Sequence, residues 1–234
     1  MEIVLVRHGQ PDWEPDGRAV DHPALTPLGW EQARRTAEAL AGERFDALYT
    51  SPLQRAVQTA EPIAGALDLE PRVESWLKEI QLPSMEGSTE EEVKHFFEAA
   101  SLRQLEQWWD GFPRGESFRH FYERVRSGIE GLLLGSYRLG VHSDSGHRIW
   151  QIPEPAQKLL FVAHEGTSAV ILSHLLGIEP VPWAWMRFSA VWAGITRILS
   201  VPVAGGSVWA LECFNRIDHL AGLPPGPARR GSTS

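Results

Sequence analysis

The sequence predicts an α/β protein: a three-layer α/β/α sandwich with a mainly parallel central sheet and a helical cap insertion. Short, continuous apolar runs, typical of strands buried on both faces of a parallel sheet, alternate with longer segments of helical periodicity. Layered α/β folds produce that alternation. The length of 234 residues is sufficient for one such domain with a full core.

The first third of the chain predicts two strands, each followed by a helix. Apolar, β-branched runs at residues 3–6 and 45–49 predict the strands. Thr26-Pro27 and Ser51-Pro52 each place a capping side chain before a proline, which favours a helix start, so a helix is predicted after each pair. Residues 12–22 carry Pro, Gly and Asp and are predicted to form a loop.

The middle of the chain predicts the cap, which lies within about residues 80–157. A loop of mixed polarity covers residues 73–87, and helices are predicted over 89–110 and 116–134. Residues 135–156 hold Gly, Ser, His, Asp and Pro without periodicity, so they are predicted to form a long surface insertion.

The last part returns to the α/β alternation. A strand is predicted over 159–163, a helix over 167–176, and a hairpin of strands 195–201 and 208–214. Residues 1–222 are therefore predicted to form a single domain. The Pro-, Gly- and Ser-rich residues 223–234 are predicted to be a flexible tail.

Charge and composition exclude several classes of function. The net charge of −8 disfavours nucleic acid as a partner. No apolar run is long enough to span a membrane, and the N-terminus lacks the basic start of a signal peptide. A cytoplasmic protein without a membrane partner is expected, and the single cysteine, Cys213, cannot form an internal disulfide.

Chemically active side chains follow three of the predicted strands. Because ligands of parallel sheets bind at the carboxyl ends of strands, Arg7-His8, Ser51 and His164-Glu165 are predicted to lie along one edge. A guanidinium forks onto two phosphate oxygens, neutral imidazole can act as nucleophile or base, and Gly9 would let the backbone approach an anion. Each of these residues alone is equally compatible with a packing role.

Arg55 lies in the first turn of the second predicted helix. A cation there opposes the helix dipole, so a bound anion would explain it, and helix end and arginine together would form a phosphate site. Pairing with a nearby acid such as Glu61 is the alternative interpretation.

Six ordered segments together resemble the histidine phosphatase superfamily, also called the phosphoglycerate mutase-like family, and its phosphatase branch in particular. They are RHG (7–9), LTPLGWEQA (25–33), SPLQRAVQTA (51–60), EIQLPSMEG (79–87), GES (115–117) and AHEG (163–166). The resemblance covers nearly all of residues 1–220.

The resemblance implies a metal-independent phosphomonoesterase that needs no cofactor. His8 would attack phosphorus and become a phosphohistidine, which water hydrolyses. Arg7, Arg55 and His164 would bind the phosphoryl oxygens and neutralise charge in the transition state. Glu79 would donate the proton to the leaving alkoxide; Glu86 is a second choice, and pairing of Glu79 with Lys78 or Arg72 is the non-catalytic alternative.

This sequence departs from the family pattern at three positions. Gln10 and Glu14 stand where the family often has other polar groups around the phosphate; Gln10 can still donate a hydrogen bond, whereas an ionised Glu14 cannot. Glu165 replaces a small or polar residue after His164. If the Glu165 side chain faces inward, it would orient His164 or bind a cationic substrate group; if it faces away, only its backbone N–H matters.

The expected partner is a small-molecule phosphate ester of unspecified identity. Two rival functions remain open, phosphoglycerate mutase-type transfer and catalytically silent phosphate binding, and metal-dependent hydrolysis is a distant third. The segment EIQLPSMEGSTEEEV lacks the Tyr- and Gly-rich run of the mutases, which favours hydrolysis. His142 and His147 are expected to be loop histidines rather than metal ligands. Trp183, Trp185 and Trp192 are expected to pack or to wall a pocket, and Trp108 and Trp109 could line the substrate cavity. The oligomeric state stays open, a homodimer included.

Overall fold

A computed structural model describes residues 1–224 of the chain, with the backbone alone at 105 and 185. The strands are β1 (Glu2–Arg7), β2 (Ala47–Thr50), β3 (Pro71–Val73), β4 (Gly140–Asp144), β5 (His147–Gln151), β6 (Lys158–Ala163), β7 (Ile195–Val203) and β8 (Gly206–Arg216). The α-helices are α1 (Pro27–Leu40), α2 (Gln54–Leu67), α3 (Glu90–Ser101), α4 (Leu105–Trp108), α5 (Phe118–Glu130), α6 (Glu165–Leu175) and α7 (Ala184–Arg187). The predicted tail falls mostly outside the described residues.

The strands form one 8-stranded sheet in the order β3-β2-β6-β1-β7-β8-β5-β4. The first four strands are parallel, whereas every pairing from β1 through β7 and β8 to β5 and β4 is antiparallel. The predicted α/β class is therefore confirmed, but the sheet is mixed rather than mainly parallel. Because the chain alternates between β and α only in its β1–β3 and β6 portions, only these strands run parallel.

The antiparallel end of the sheet contains a hairpin where the sequence predicted an irregular insertion. Residues 140–151 turn at Ser145 and Gly146, both with positive φ (51° and 83°), as a two-residue hairpin turn requires. Trp150 is buried and packs edge-on against Trp209 of β8, with ring centroids 6.0 Å apart. Burying these two rings fixes the hairpin onto the sheet, a long-range contact that local periodicity does not reveal.

Helices cover both faces of the sheet, which confirms the three-layer arrangement. Along β1, Ile3 and Leu5 face one core and Val4 and Val6 face the other, as the period of two dictates. The first core is closed by apolar residues of α5 and α6, the second by those of α1 and α2. Side chains buried on both faces explain why β1 reads as a continuous apolar run.

Helix starts follow the predicted caps in one case and not in the other. The Thr26 hydroxyl accepts a hydrogen bond from Gly29 N and caps α1. Helix α2, however, begins at Gln54 after Leu53, not at Ser51-Pro52. Ser51 does not cap the helix because its hydroxyl is engaged by His164.

The cap follows α2 and contains α3 and α4. Thr89 and Glu92 form a reciprocal capping box at the start of α3, which explains the three glutamates there. Trp108 packs against Phe118 and against Trp183, with ring centroids 5.8 Å and 6.3 Å apart. Aromatic packing therefore ties the cap to α5 and to the segment preceding α7. Within residues 1–224, no helix has both the length and the apolar composition needed to cross a membrane.

Candidate active site

Three neighbouring parallel strands, β2, β6 and β1, end at the same edge of the sheet and deliver the predicted residues together. His8 N donates to Ala163 O at 3.0 Å, and Ser51 N donates to Val162 O at 3.0 Å. His8, Ser51 and His164 each follow directly after one of these strands. The predicted shared edge is therefore present.

His8 is buried and held in one orientation. Its Nδ1 lies 2.7 Å from Gly9 O, and because a carbonyl only accepts, Nδ1 carries the proton. Its Nε2 then offers a lone pair, which accepts from Arg55 Nε at 3.3 Å. Burial, and next the positive charges of Arg55 and Arg7, hold the pKa of His8 well below its ordinary value. The imidazole is consequently neutral, with the lone pair of Nε2 facing Arg55.

Arg55 is buried in the first turn of α2, with 4% of its surface exposed. Its Nη1 has no hydrogen-bond partner among the described residues, and its guanidinium carbon lies 5.0 Å from the centre of the Trp13 ring. Burial lowers the pKa of Arg55 to about 10, while the nearby Glu79 raises it and Arg7 lowers it. Among the described residues, Glu61, the partner in the alternative interpretation, does not form an ion pair with this guanidinium.

His164 lies beside His8, with the ring centroids 5.1 Å apart and the rings tilted by 59°. Its Nε2 is 2.8 Å from Ser51 Oγ, while its buried Nδ1 has no partner within the described part of the chain. Burial, followed by Arg55, His8 and Arg7, lowers the pKa of His164. An anion entering the site would find the Arg55 and His164 nitrogens still available for hydrogen bonds.

Arg7 and Glu165 form an ion pair at the rim of the site. Arg7 Nη1 donates to Ala190 O at 2.5 Å and lies 3.1 Å from Glu165 Oε2. The Trp192 ring lies 5.7 Å from the guanidinium carbon of Arg7. The Glu165 side chain therefore faces inward and contacts Arg7.

Glu79 reaches the site from the segment before the cap. Its carboxylate accepts hydrogen bonds from Gly166 N at 2.9 Å and from Ile80 N at 3.0 Å. A Cβ at position 166 would lie 2.5 Å from Glu79 Oε1, so a larger residue there would displace the Glu79 carboxylate. Arg72 donates to the Tyr49 hydroxyl, so it is not the partner of Glu79.

The Glu79 segment is fastened to α5. Arg124 binds both carboxylate oxygens of Glu116, at 2.9 Å and 2.8 Å, and donates to the carbonyls of Trp76 and Lys78. Glu116 N also donates to Gln81 O at 2.6 Å. The GES motif at 115–117 thus holds the residues on both sides of Glu79 in place.

Gln10 and Gly9 have structural roles that the sequence did not reveal. Gln10 Oε1 accepts from the Thr26 hydroxyl at 2.7 Å, which ties the residue to the start of α1. A Cβ on Gly9 would lie 2.5 Å from Gly29 O, so close helix packing requires this glycine. The expectation that Gly9 also lets the backbone approach an anion stays a prediction.

Two other predicted candidates lie in different settings. The exposed Glu86 accepts from Asp21 N at 2.9 Å and thereby joins two loops. His142 and His147 lie in strands β4 and β5, not in a loop, where they pair with Ile149 and Asp144. Over residues 1–224, His, Cys, Asp and Glu side chains form no group of three or more that could hold a metal ion.

Sequence reasoning missed several residues that shape the site. Trp13 faces Arg55, Thr59 accepts from Gly9 N at 2.9 Å, and Arg124 supports the Glu79 segment. Trp192, which was expected to pack or to wall a pocket, lies against Arg7. Thr59 could have been found from its spacing, since it lies four residues after Arg55 on the same helix face. Trp13 lies in a predicted loop, where no periodic pattern indicates which way its side chain points.

Comparison with known proteins places the chain in a family. The model of the histidine phosphatase superfamily (branch 1) matches residues 3–201. The chain therefore belongs to the histidine phosphatase superfamily, as the six motifs indicated.

Individual relatives within that family include phosphatases and a mutase. The chain is 28% identical over 228 residues to a probable 2-carboxy-D-arabinitol-1-phosphatase of Arabidopsis thaliana, covering 95% of this chain and 42% of that protein. It is 26% identical over 227 residues to a probable phosphoglycerate mutase of Salmonella arizonae, covering 94% and 95%. A mycobacterial glucosyl-3-phosphoglycerate phosphatase in complex with VO3 has a TM-score of 0.70 at 25% identity, covering 92% and 98%. The chain thus spans about two-fifths of the length of the plant relative.

Proposed function

We propose that this chain hydrolyses phosphate monoesters through a phosphohistidine on His8, without a metal ion. The observation that carries the proposal is the His8 side chain, whose Nδ1–H is fixed on Gly9 O while its Nε2 lone pair faces Arg55. A neutral, oriented imidazole beside buried cations is suited to attack on a phosphoryl group. The phosphatases among its relatives support the same class of reaction.

The cations around His8 stabilise the phosphoryl group in transit. Arg55 Nη1 and His164 Nδ1 are buried and find no partner in the part of the chain that the structure describes, so an incoming phosphate oxygen can take up their hydrogen bonds. Arg7 adds further positive charge close enough to lower the pKa of His8. Placing such donors where negative charge accumulates is the largest contribution that an enzyme makes to phosphoryl transfer.

Glu79 handles the proton in both steps. In the first step the bond from His8 Nε2 to phosphorus forms, the ester P–O bond breaks, and the Glu79 carboxyl protonates the departing alkoxide. In the second step water attacks phosphorus, the Glu79 carboxylate accepts its proton, and the N–P bond breaks to release phosphate. Neutral His8 and protonated Glu79 are thereby restored.

A rapid-quench experiment tests this mechanism. Incubation with an ester labelled in its phosphoryl group, followed by quenching within milliseconds, is expected to give an acid-labile, alkali-stable phosphate on His8. His8→Ala should lose the label and lower kcat by about a thousandfold or more, as removal of a nucleophile does. His95→Ala, which removes an exposed histidine on α3, is the matched control. Full hydrolysis by His8→Ala would refute the proposal.

The same experiment separates the rival functions. Transfer of the label to 3-phosphoglycerate instead of water would indicate the mutase reaction, for which the Salmonella arizonae relative is named. Tight binding of phosphate esters with neither label nor turnover would indicate a silent binding module.

A further inference from the structure

Glu165 puts a carboxylate beside the cations of the site. Its Oε2 lies 3.1 Å from Arg7 Nη1, and 15% of its side chain is exposed, so a bound ligand can approach it. Glu165 occupies the first position of α6, where the helix dipole also favours negative charge. Glu165 therefore places an acidic side chain at the rim of the site.

Glu165 lies next to the part of the site where the leaving group of the substrate would bind. The following residue, Gly166, donates its N–H to Glu79 Oε2 at 2.9 Å, and Glu79 is the proposed proton donor to the leaving group. An alcohol whose oxygen contacts Glu79 must extend past the Glu165-Gly166 backbone or past the opposite rim. Along the first of these two paths, its substituents pass the Glu165 carboxylate and the Arg7 guanidinium that is paired with it.

Charge at this rim distinguishes between leaving groups. A substrate carboxylate would need a cation, but Arg7 already shares its charge with Glu165. Two negative charges at such short range repel each other in a partly dehydrated site, whereas a neutral or cationic substituent meets no such penalty. Buried Arg55 is directed toward the phosphoryl position beside His8 and offers no compensation at the rim.

We propose that Glu165 is a specificity-determining residue that selects phosphate monoesters whose alcohol portion carries no negative charge. This inference rests on the proposed function for the placement of the leaving group. It gives a substrate class: small phosphate esters of neutral or amine-bearing alcohols. Relatives named for 2-carboxy-D-arabinitol 1-phosphate and glucosyl-3-phosphoglycerate are, by contrast, named for substrates with a carboxylate.

The test compares two ligands that differ in one group. Glycerol 3-phosphate and 3-phosphoglycerate have the same phosphate and carbon skeleton, but only the second has a carboxylate. Their dissociation constants are measured by calorimetry in His8→Ala, which cannot turn them over, and again after adding Glu165→Gln. Glutamine keeps an oxygen that can accept from Arg7, so only the charge is removed. Glu212→Gln, which removes one exposed charge on β8, controls for net charge.

Glycerol 3-phosphate is expected to bind His8→Ala about tenfold more tightly than 3-phosphoglycerate, and Glu165→Gln should bring the ratio close to one. The preference should shrink as salt concentration rises, and phosphoethanolamine should bind at least as well as glycerol 3-phosphate. If Glu165→Gln misfolds, as thermal unfolding would reveal, Glu165→Ala must give the same change in ratio.

An unchanged ratio in Glu165→Gln would overturn the proposal, because a merely structural role requires the hydrogen bond and not the charge. So would a wild-type preference for 3-phosphoglycerate. Since these are binding measurements, they are independent of the labelling of His8: an unlabelled His8 would refute the proposed function and leave the charge preference measurable.

Discussion

At the scale of single residues, the hydrogen bond between Ser51 and His164 determines which histidine nitrogen can serve the phosphate. Ser51 Oγ accepts from Leu53 N at 3.3 Å and lies 2.8 Å from His164 Nε2. We assign the Ser51 O–H as the donor to Nε2, because that direction leaves His164 a proton for a bound anion. The proton of neutral His164 then resides on Nδ1, the buried nitrogen that has no hydrogen-bond partner within residues 1–224. His164 can thus donate to an anion without being a cation, which accords with its lowered pKa.

This arrangement predicts the effect of Ser51→Ala. In ¹⁵N spectra, His164 of the unmodified protein is expected to be the Nδ1–H tautomer. Ser51→Ala should produce a mixture of tautomers and weaken the binding of inorganic phosphate or vanadate by about three- to tenfold, the value of one hydrogen bond. Exposed Ser101→Ala is the control. Finding the proton on Nε2 in the unmodified protein would contradict this assignment.

At the scale of elements, α5 determines where the proton donor lies. Arg124 of α5 donates to the carbonyls of Trp76 and Lys78, at 2.9 Å and 3.2 Å, immediately before Glu79. Glu116 holds the same guanidinium in place, and only 9% of the Glu116 side chain is exposed. Loss of this anchor would free the Glu79 segment without altering His8 or Arg55.

Arg124→Met should therefore impair catalysis in a way that depends on the leaving group. For alkyl phosphates, whose alkoxide needs a proton, kcat/KM is expected to fall about tenfold or more. For p-nitrophenyl phosphate, whose leaving group departs unprotonated, the fall should be much smaller. Arg119→Met on the exposed face of α5 should affect neither. An equal loss with both substrates would show that Arg124 acts through general stability.

At the scale of the whole molecule, buried histidines make stability depend on pH. The pKa values of His8, His164, His174 and His219 are all lowered, in each case chiefly by burial, and that of His174 falls to about 4. The unfolded chain binds protons on these residues below about pH 6.5, whereas the folded chain does not. Above that pH these histidines are neutral in both the folded and the unfolded chain, so their full contribution to stability is present. The free energy of unfolding decreases as the pH falls toward the lowered pKa values of the folded chain.

The free energy of unfolding should accordingly decrease between pH 7 and pH 5. Urea denaturation in phosphate-free buffers across this range measures it. His8→Asn should make the decrease less steep, whereas exposed His95→Asn should retain the slope of the unmodified protein. Stability that rises on acidification would contradict the neutral state assigned to these residues.

Local patterns in the sequence were sufficient for the α/β class, for the cap of α1 and for most of the proposed site. Arg7, His8, Arg55 and His164 were identified from short motifs that combine a strand or helix end with the side chain it presents. Glu79, in a predicted loop, was identified from the resemblance to the family. The order of the motifs along the chain supplied the family. Such features depend on neighbours within a few residues, and the sequence contains them directly.

Contacts between distant residues decided the rest. Ser51 reads as a helix cap, yet its hydroxyl binds His164, 113 positions away, and the helix begins later. The hairpin at 140–151 joins the sheet because Trp150 is buried against Trp209, and Glu165 turns inward because Arg7 lies across from it. Tertiary packing overrides local preference at these places because burying a ring or pairing a charge stabilises more than a cap does.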